Sequence, residues 1–244
     1  MENNFYQQER RLEQGAVNES LGRYTAKTFL LMFVGLIVTF VTGYFLSQTR
    51  PGIVAVIYMF HYVPVLHLIL LVAEVAVVVG MTSCLHKVSV GTARLFFFLY
   101  SVLTGVTFSL LFMVYEMRSL VFIFGATSLY FGGMAVFGFV TNIDLSRMRS
   151  ILLGGLIFLL VANVVMWFLP GVGVMEQVVC SIGVVVFLAL TAYDTQRMKN
   201  FYYAYEGDPE MQKKVSVYSA LELYLDFLNM FLYLLRLLGK SKKR

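Results

Sequence analysis

Acidic side chains are scarce in this 244-residue chain, 14 in all, and its long apolar stretches hold very few of them. Charged residues of both signs make up only 14% of the sequence, against 59% hydrophobic, with a mean hydropathy of +0.77. That balance excludes an ordinary soluble domain. There are two cysteines, Cys84 and Cys180, without metal-ligand spacing, so apolar packing is expected for both and a disulfide for neither. No metalloenzyme constellation, P-loop or dinucleotide fingerprint occurs, and no Ser-His arrangement marks a nucleophile, so an enzyme is not expected. No cofactor is expected either. The N-terminal stretch lacks the basic start and following apolar core of a cleavable signal peptide. The first apolar segment, from Phe29, is expected to act as an uncleaved signal-anchor. No internal repeat is visible, although inverted repeats are often weak in sequence.

What is present is a repeated run of about 20 apolar residues, the length a membrane-spanning helix needs. Seven candidate spans read at 28–47, 64–85, 95–115, 119–140, 150–169, 174–196 and 215–238. The expected fold class is an all-α integral membrane protein, a bundle of seven transmembrane helices. Residues 1–26 form a polar N-terminal tail, 27–238 the membrane domain and 239–244 a short basic tail. Arg10, Arg11, Arg23 and Lys27 precede the first span, and Lys87, Arg94, Arg147, Arg149, Arg197, Lys199, Lys213 and Lys214 fall between even and odd spans. Only Arg50 and Arg118 lie in the opposite loops, so the positive-inside rule places the N-terminus in the cytoplasm. The tail Lys240-Ser-Lys-Lys-Arg244 runs against that rule. Either the last segment is re-entrant or the tail is exported, and seven crossings are favoured. The net charge of +5 fits basic loops at anionic lipid heads and gives no sign of nucleic acid. Short linkers favour antiparallel neighbours, with Pro170-Gly-Val-Gly173 as a tight turn. The segment from Arg50 to Pro64 is expected along the outer interface or as an extension of span two. Gly132, Gly133, Gly154, Gly155 and Gly183 read as sites of close helix packing.

Two acids break the apolar pattern. Asp194 closes Val184-Val-Val-Phe-Leu-Ala-Leu-Thr-Ala-Tyr-Asp194, and Asp226 lies within Ala220-Leu-Glu-Leu-Tyr-Leu-Asp-Phe-Leu-Asn-Met-Phe-Leu-Tyr-Leu-Leu-Arg236. A carboxylate at membrane depth costs about 2.5–3.5 kcal/mol on insertion scales and usually faces a bundle interior or water path. With the turn between the last two spans centred near residue 210, after Gly207-Asp208-Pro209, each aspartate lies 16 residues from it (210 − 194 and 226 − 210). Two antiparallel helices then bring both carboxyls to one depth. Two carboxyls in contact resist joint ionisation and near neutral pH can share one proton. Protonated, the pair clasps two helices; deprotonated, it repels and offers oxygens to a hard cation such as calcium. The plainer alternative is that each acid caps a kink or pairs with a cation such as Arg236. Glu222, Asp226, Asn229 and Tyr233 recur on one face of the last span, a polar seam expected to point inward. Glu74, with His67 seven residues earlier, either extends an ion path or is satisfied by a local hydrogen bond. His61 and His86 read as solvated loop residues, and Asn163 and Trp167 as packing and an interface anchor.

Leu188-Ala-Leu-Thr-Ala-Tyr-Asp-Thr-Gln-Arg-Met-Lys199, together with Leu223-Tyr-Leu-Asp-Phe-Leu-Asn-Met-Phe-Leu-Tyr-Leu-Leu-Arg236, resembles the bacterial branch of the Bax inhibitor-1 (transmembrane Bax-inhibitor-motif) family. Ser101-Val-Leu-Thr-Gly-Val-Thr-Phe-Ser109 is similar to the same pattern. The resemblance implies seven helices with six surrounding the last, in the cell inner (plasma) membrane. It also implies a pH-sensitive calcium leak in which Asp194 and Asp226 act as sensor and gate, holding calcium only transiently. It assigns no role to Glu74. The basic residues after Arg236 resemble the short charged ends of family members.

Three functions follow as expectations. The first is a passive calcium leak channel opened by deprotonation of the aspartate pair, with Glu222, Asn229, Arg236 and Glu74 as the ion pathway or supporting polar seam. The second is a regulatory role restraining another membrane protein, such as a quality-control protease, through residues 1–26. The third is an intramembrane aspartyl protease. It is disfavoured because the second aspartate sits in Tyr224-Leu-Asp226 instead of Gly-x-Gly-Asp, and no proline follows Pro209.

Overall fold

The computed structural model describes residues 20–59, 64–84, 87–168 and 173–242. Residues 1–19 of the N-terminal tail, His61, His86 and the Pro170-Gly-Val turn lie outside the described residues, as do the side chains of His67, Cys84 and Trp167. The described chain is helical almost throughout: α1 (Leu21–Gln48), α2 (Arg50–Ile57), α3 (Pro64–Cys84), α4 (Val90–Val114), α5 (Met117–Val140), α6 (Arg149–Phe168), α7 (Gly173–Ala204) and α8 (Pro209–Leu238). A 3-10 turn, Leu145–Met148, precedes α6, and Asp144 caps it by accepting from Ser146 N at 3.0 Å. Hydrogen bonds from the Ser146 hydroxyl and then from its backbone N hold the exposed Asp144 carboxyl below the usual carboxylate range.

Each of the seven apolar runs falls on one helix. Five segments are long and apolar enough to cross a membrane among the described residues: Leu21–Gln48, Val90–Val114, Met117–Val140, Leu145–Met166 and Gly173–Ala204. The eighth helix is the short α2. Arg50 to Ile57 is a separate helix started by Pro51 and folded back on α1 and α4, and not an extension of span two. Helix ends also differ from the apolar boundaries. α1 begins at Leu21, where Ser20 accepts from Arg23 N at 3.4 Å, so the tail boundary at residue 26 falls inside a helix. Hydropathy marks only the apolar part of a helix, whereas capping residues mark where it starts.

α8 is the most enclosed element. Of its 30 residues, 17 are buried, against α1, α4, α5 and α7. Lipid is as apolar as leucine, so packing geometry and polar contacts hold such helices together more than hydrophobic transfer does. Aromatic edges supply much of that packing. Phe40 meets Phe124 at 5.0 Å and Phe231 at 5.5 Å, and Phe227 meets Phe124 at 5.2 Å and Phe131 at 5.5 Å between ring centroids. Each such pair is worth about 0.5–1.5 kcal/mol.

Of the paired glycines only Gly155 lies at a close approach, where a Cβ would meet Val186 Cγ2 of α7 at 3.1 Å. Around Gly132, Gly133 and Gly154 a Cβ would meet nothing within 4 Å. At Gly138 it would run into the Ala192 backbone, so α5 and α7 touch backbone to backbone beside Asp194. Gly105 brings α4 against Thr39 and Thr42 of α1, and Gly183 seats the Tyr233 ring. Paired glycines are no signal by themselves, because the partner helix decides which face is crowded.

Past α8 the chain turns back. Glu116 N donates to Lys240 O at 3.0 Å and Lys242 N to Val114 O at 2.8 Å, an antiparallel bridge of Tyr115 with Ser241. Lys242 Nζ also donates to Phe112 O at 2.7 Å, a cation on the open carbonyls at the C-terminus of α4. The basic tail thus docks at the α4–α5 turn, at the end of the bundle away from the starts of α1, α4 and α8.

Candidate functional site

The hairpin of α7 and α8 positions the two aspartates. Its turn, Tyr205 to Asp208, is built on Gly207, whose φ of 96° lies in the left-handed region that glycine favours. Asp208 then caps α8 by accepting from Met211 N at 3.0 Å, with Pro209 at the first helical position. This corrects the expected turn centre at residue 210. Gly207 is 13 residues from Asp194 (207 − 194) and 19 from Asp226 (226 − 207). The carboxyls are nevertheless neighbours within hydrogen-bonding reach. Side chains lean toward the N-terminus of their own helix, which moves the α7 residue away from the turn and the α8 residue toward it. That lean accounts for part of the offset. The register is seen again in Gln212 Nε2 donating to Tyr202 O at 3.1 Å and in Arg197 meeting Glu222.

Both aspartates are buried, Asp194 at 7% and Asp226 at 4% exposure. A third acid joins them. Glu222, one turn before Asp226, accepts from Arg197 Nη1 at 2.6 Å. Arg197 is one turn beyond Asp194, within its electrostatic reach, and its guanidinium lies over the rings of Phe201 at 5.0 Å and Tyr218 at 5.5 Å. Two oxygens in this cluster, Asp226 Oδ2 and Glu222 Oε2, are buried without a hydrogen-bond partner. Buried polar atoms are nearly always paired, so two orphans side by side mark a place for a proton, water or cation. Among the described residues, no group of three or more His, Cys, Asp or Glu side chains is arranged to hold a metal ion.

The other candidate residues go elsewhere. Asn229 Nδ2 donates back to Leu225 O at 2.8 Å within its own helix. Arg236 pairs with no aspartate; its Nη1 donates to Asn163 Oδ1 at 2.9 Å and its guanidinium lies over Tyr233. Asn163, expected to pack, donates to the Tyr233 hydroxyl at 2.9 Å and so ties α6 to α8. Glu74 accepts from Thr107 Oγ1 at 2.9 Å, the local hydrogen bond of the plainer reading, and stands apart from the aspartates beside Tyr100 and Tyr224. Tyr224 itself was not anticipated. Its hydroxyl lies 2.6 Å from Thr39 Oγ1, which donates to Ser101 O at 2.9 Å. Arg197 was also missed as a site residue, because Arg197 and Lys199 counted only as basic residues flanking the span; both lie in α7, with Lys199 Nζ donating to Phe139 O at 3.1 Å. The spacing of three from Asp194 was the available signal.

Comparison with known proteins agrees with the family resemblance. The family profile described as "Inhibitor of apoptosis-promoting Bax1" matches residues 21–243. An uncharacterized protein of Borreliella burgdorferi is 39% identical over 220 residues, 90% of this chain and 93% of its own length. The inner membrane protein YbhL of Escherichia coli K12 is 36% identical over 223 residues, 91% of this chain and 93% of its own. A Rickettsia prowazekii protein, RP147, is 33% identical across 92% of both chains. On this ground, and with its long apolar helices, the chain is a membrane protein of the Bax inhibitor-1 family.

Proposed function

We propose that this protein is a passive cation leak, with calcium as the transported ion, gated by a proton shared between Asp194 and Asp226. One observation carries the reading: two buried carboxyls from successive helices face each other, and orphaned carboxyl oxygens lie beside them. With Glu222 and Arg197 the cluster holds three acids and one base, so its net charge is −1 with the shared proton and −2 without it. Losing the proton turns an attraction between α7 and α8 into repulsion and leaves oxygen ligands suited to a hard cation. The sign follows. Raising pH removes the proton, loosens the hairpin and raises the flux. Two carboxylates then give calcium a brief stop on its way, not a storage site.

In this reading α3 and α8 complete seven crossings, and α8 is the central helix. The N-terminus lies on the basic, cytoplasmic face, and the tail docked at Tyr115 lies on the other. The likeness to YbhL supports residence in the inner membrane. The test is calcium efflux from loaded vesicles containing the purified protein, followed across pH, for the native chain and for Asp194→Asn and Asp226→Asn. Flux that rises with pH in the native chain and loses that rise in both variants supports the gate. An unchanged pH profile in both variants refutes it.

A further inference from the structure

A hydroxyl inside a membrane helix has a ready partner in the carbonyl one turn earlier, and lipid offers it no other. Thr28, Thr39, Ser101, Thr127, Thr191 and Thr195 all donate to the carbonyl four residues back. Ser219 of α8 does not. The residue is 1% exposed, and its buried hydroxyl has no hydrogen-bond partner among the described residues. It belongs to the series Ser216, Ser219, Glu222, Asp226, whose spacings of three, three and four keep the oxygens on one side of α8. Glu222 Oε2 and Asp226 Oδ2 are orphaned in the same way. Three unpartnered oxygens therefore climb one strip of the helix, each about 4.5–6 Å of rise from the next. The strip ends at Ser216, whose hydroxyl lies 2.7 Å from Thr28 Oγ1 of α1.

We infer that Ser219 is a transit ligand for the transported cation, the step between the aspartate pair and the end of the bundle where α1 and α8 begin. The inference rests on the leak proposed above and adds to it a direction and a residue. A hydroxyl is a hard oxygen donor without charge, so it replaces one water of a calcium shell without holding the ion. A conduction path needs such weak stops, because sites that bind too well do not let go. From Glu222 the ion moves one turn to Ser219, and from there to the hydroxyls of Ser216 and Thr28 that join α8 to α1. A serine kept only for packing would bond back to the Val215 carbonyl, as its counterparts in the other helices do.

The experiment is thiol labelling of Ser219→Cys by a cationic methanethiosulfonate, added to both sides of vesicles holding the full-length protein without Cys84 and Cys180, at one alkaline pH. The comparison is Ala220→Cys, a position fully buried in the native chain and about 100° round the helix. Ser219→Cys is expected to react and Ala220→Cys to stay inert. For a weak oxygen site with a dissociation constant of about 1 mM, about 2 mM calcium slows the reaction roughly threefold, and choline chloride of equal ionic strength does not. Labelling no faster than at Ala220→Cys, labelling that calcium leaves untouched, or equal slowing by choline each overturns the inference. If Ser219→Cys gives no native melting transition, Ser216→Cys takes its place, with calcium protection as the deciding readout. Flux that ignores pH beside a calcium-protected Ser219→Cys sinks the gate and leaves the route standing. Flux that rises with pH beside an inert Ser219→Cys does the reverse.

Discussion

The ion pair between Arg197 and Glu222 makes the sharpest structural prediction, because it lies beside the aspartates and joins the two helices that carry them. Its two side chains are 34% and 15% exposed at 2.6 Å separation. Removing one partner of a fully buried pair costs about 3–5 kcal/mol, while an exposed pair contributes about 0–1 kcal/mol. This pair is intermediate, so Arg197→Gln is expected to destabilise by about 1–3 kcal/mol. At roughly 2–4 °C per kcal/mol, the melting midpoint in detergent falls by about 2–12 °C. Glu222→Gln leaves an acceptor for Arg197 and falls less. The double variant is expected to lose less than the sum, with a coupling energy of about 1–2 kcal/mol. The assay is thermal unfolding of the four proteins followed by circular dichroism in one detergent. Strictly additive losses refute the claim that the two side chains act as a unit. The same substitution has a functional sign under the proposed gate. Without the guanidinium the carboxyl cluster holds its proton longer, so the rise of calcium flux in Arg197→Gln moves to higher pH.

Three further outcomes are expected. Gly138→Ala places a methyl against the Ala192 backbone and costs about 1–3 kcal/mol as α5 and α7 part; Gly132→Ala, with nothing within 4 Å, leaves the melting midpoint unchanged, and equal effects contradict the crossing. Asn163→Leu cuts the links to Tyr233 and Arg236 and costs about 0.6–1.7 kcal/mol, the range for hydrogen bonds between membrane helices, read as a melting shift. Tyr115 and Ser241 form the non-hydrogen-bonded pair of their bridge, with Cα atoms about 4.5 Å apart, within disulfide range. Tyr115→Cys with Ser241→Cys, in a chain lacking Cys84 and Cys180, is therefore expected to close a disulfide on mild oxidation. Failure seen by gel shift after thiol labelling places the tail elsewhere.

How far the sequence revealed this molecule depends on the kind of signal. Each apolar run falls on a helix because a segment in lipid has few alternatives. Asp194 and Asp226 stood out because acids are rare in such runs. Their depth match was reached from a turn placed three residues too late, since Pro209 reads as a breaker yet begins α8. Arg197 was hidden by its charge, which made it count as a basic flank of the span and not as a partner of the acids. Thr39 with Tyr224, and Asn163 with Tyr233, stayed invisible because a hydroxyl or amide in an apolar run names no partner until the helices are assembled. The same holds for Gly138: its neighbour Ala192 is 54 residues away in the chain (192 − 138).

The strap formed by Lys240 to Lys242 has a mechanical consequence. α8 is moored at one end by the four-residue turn from α7 and at the other by backbone bonds to Val114 and Glu116. A piston stroke along its axis must tear one mooring, whereas swinging or bowing sideways keeps both. Any opening that draws Asp226 away from Asp194 is therefore a sideways bend of a helix pinned at its two ends.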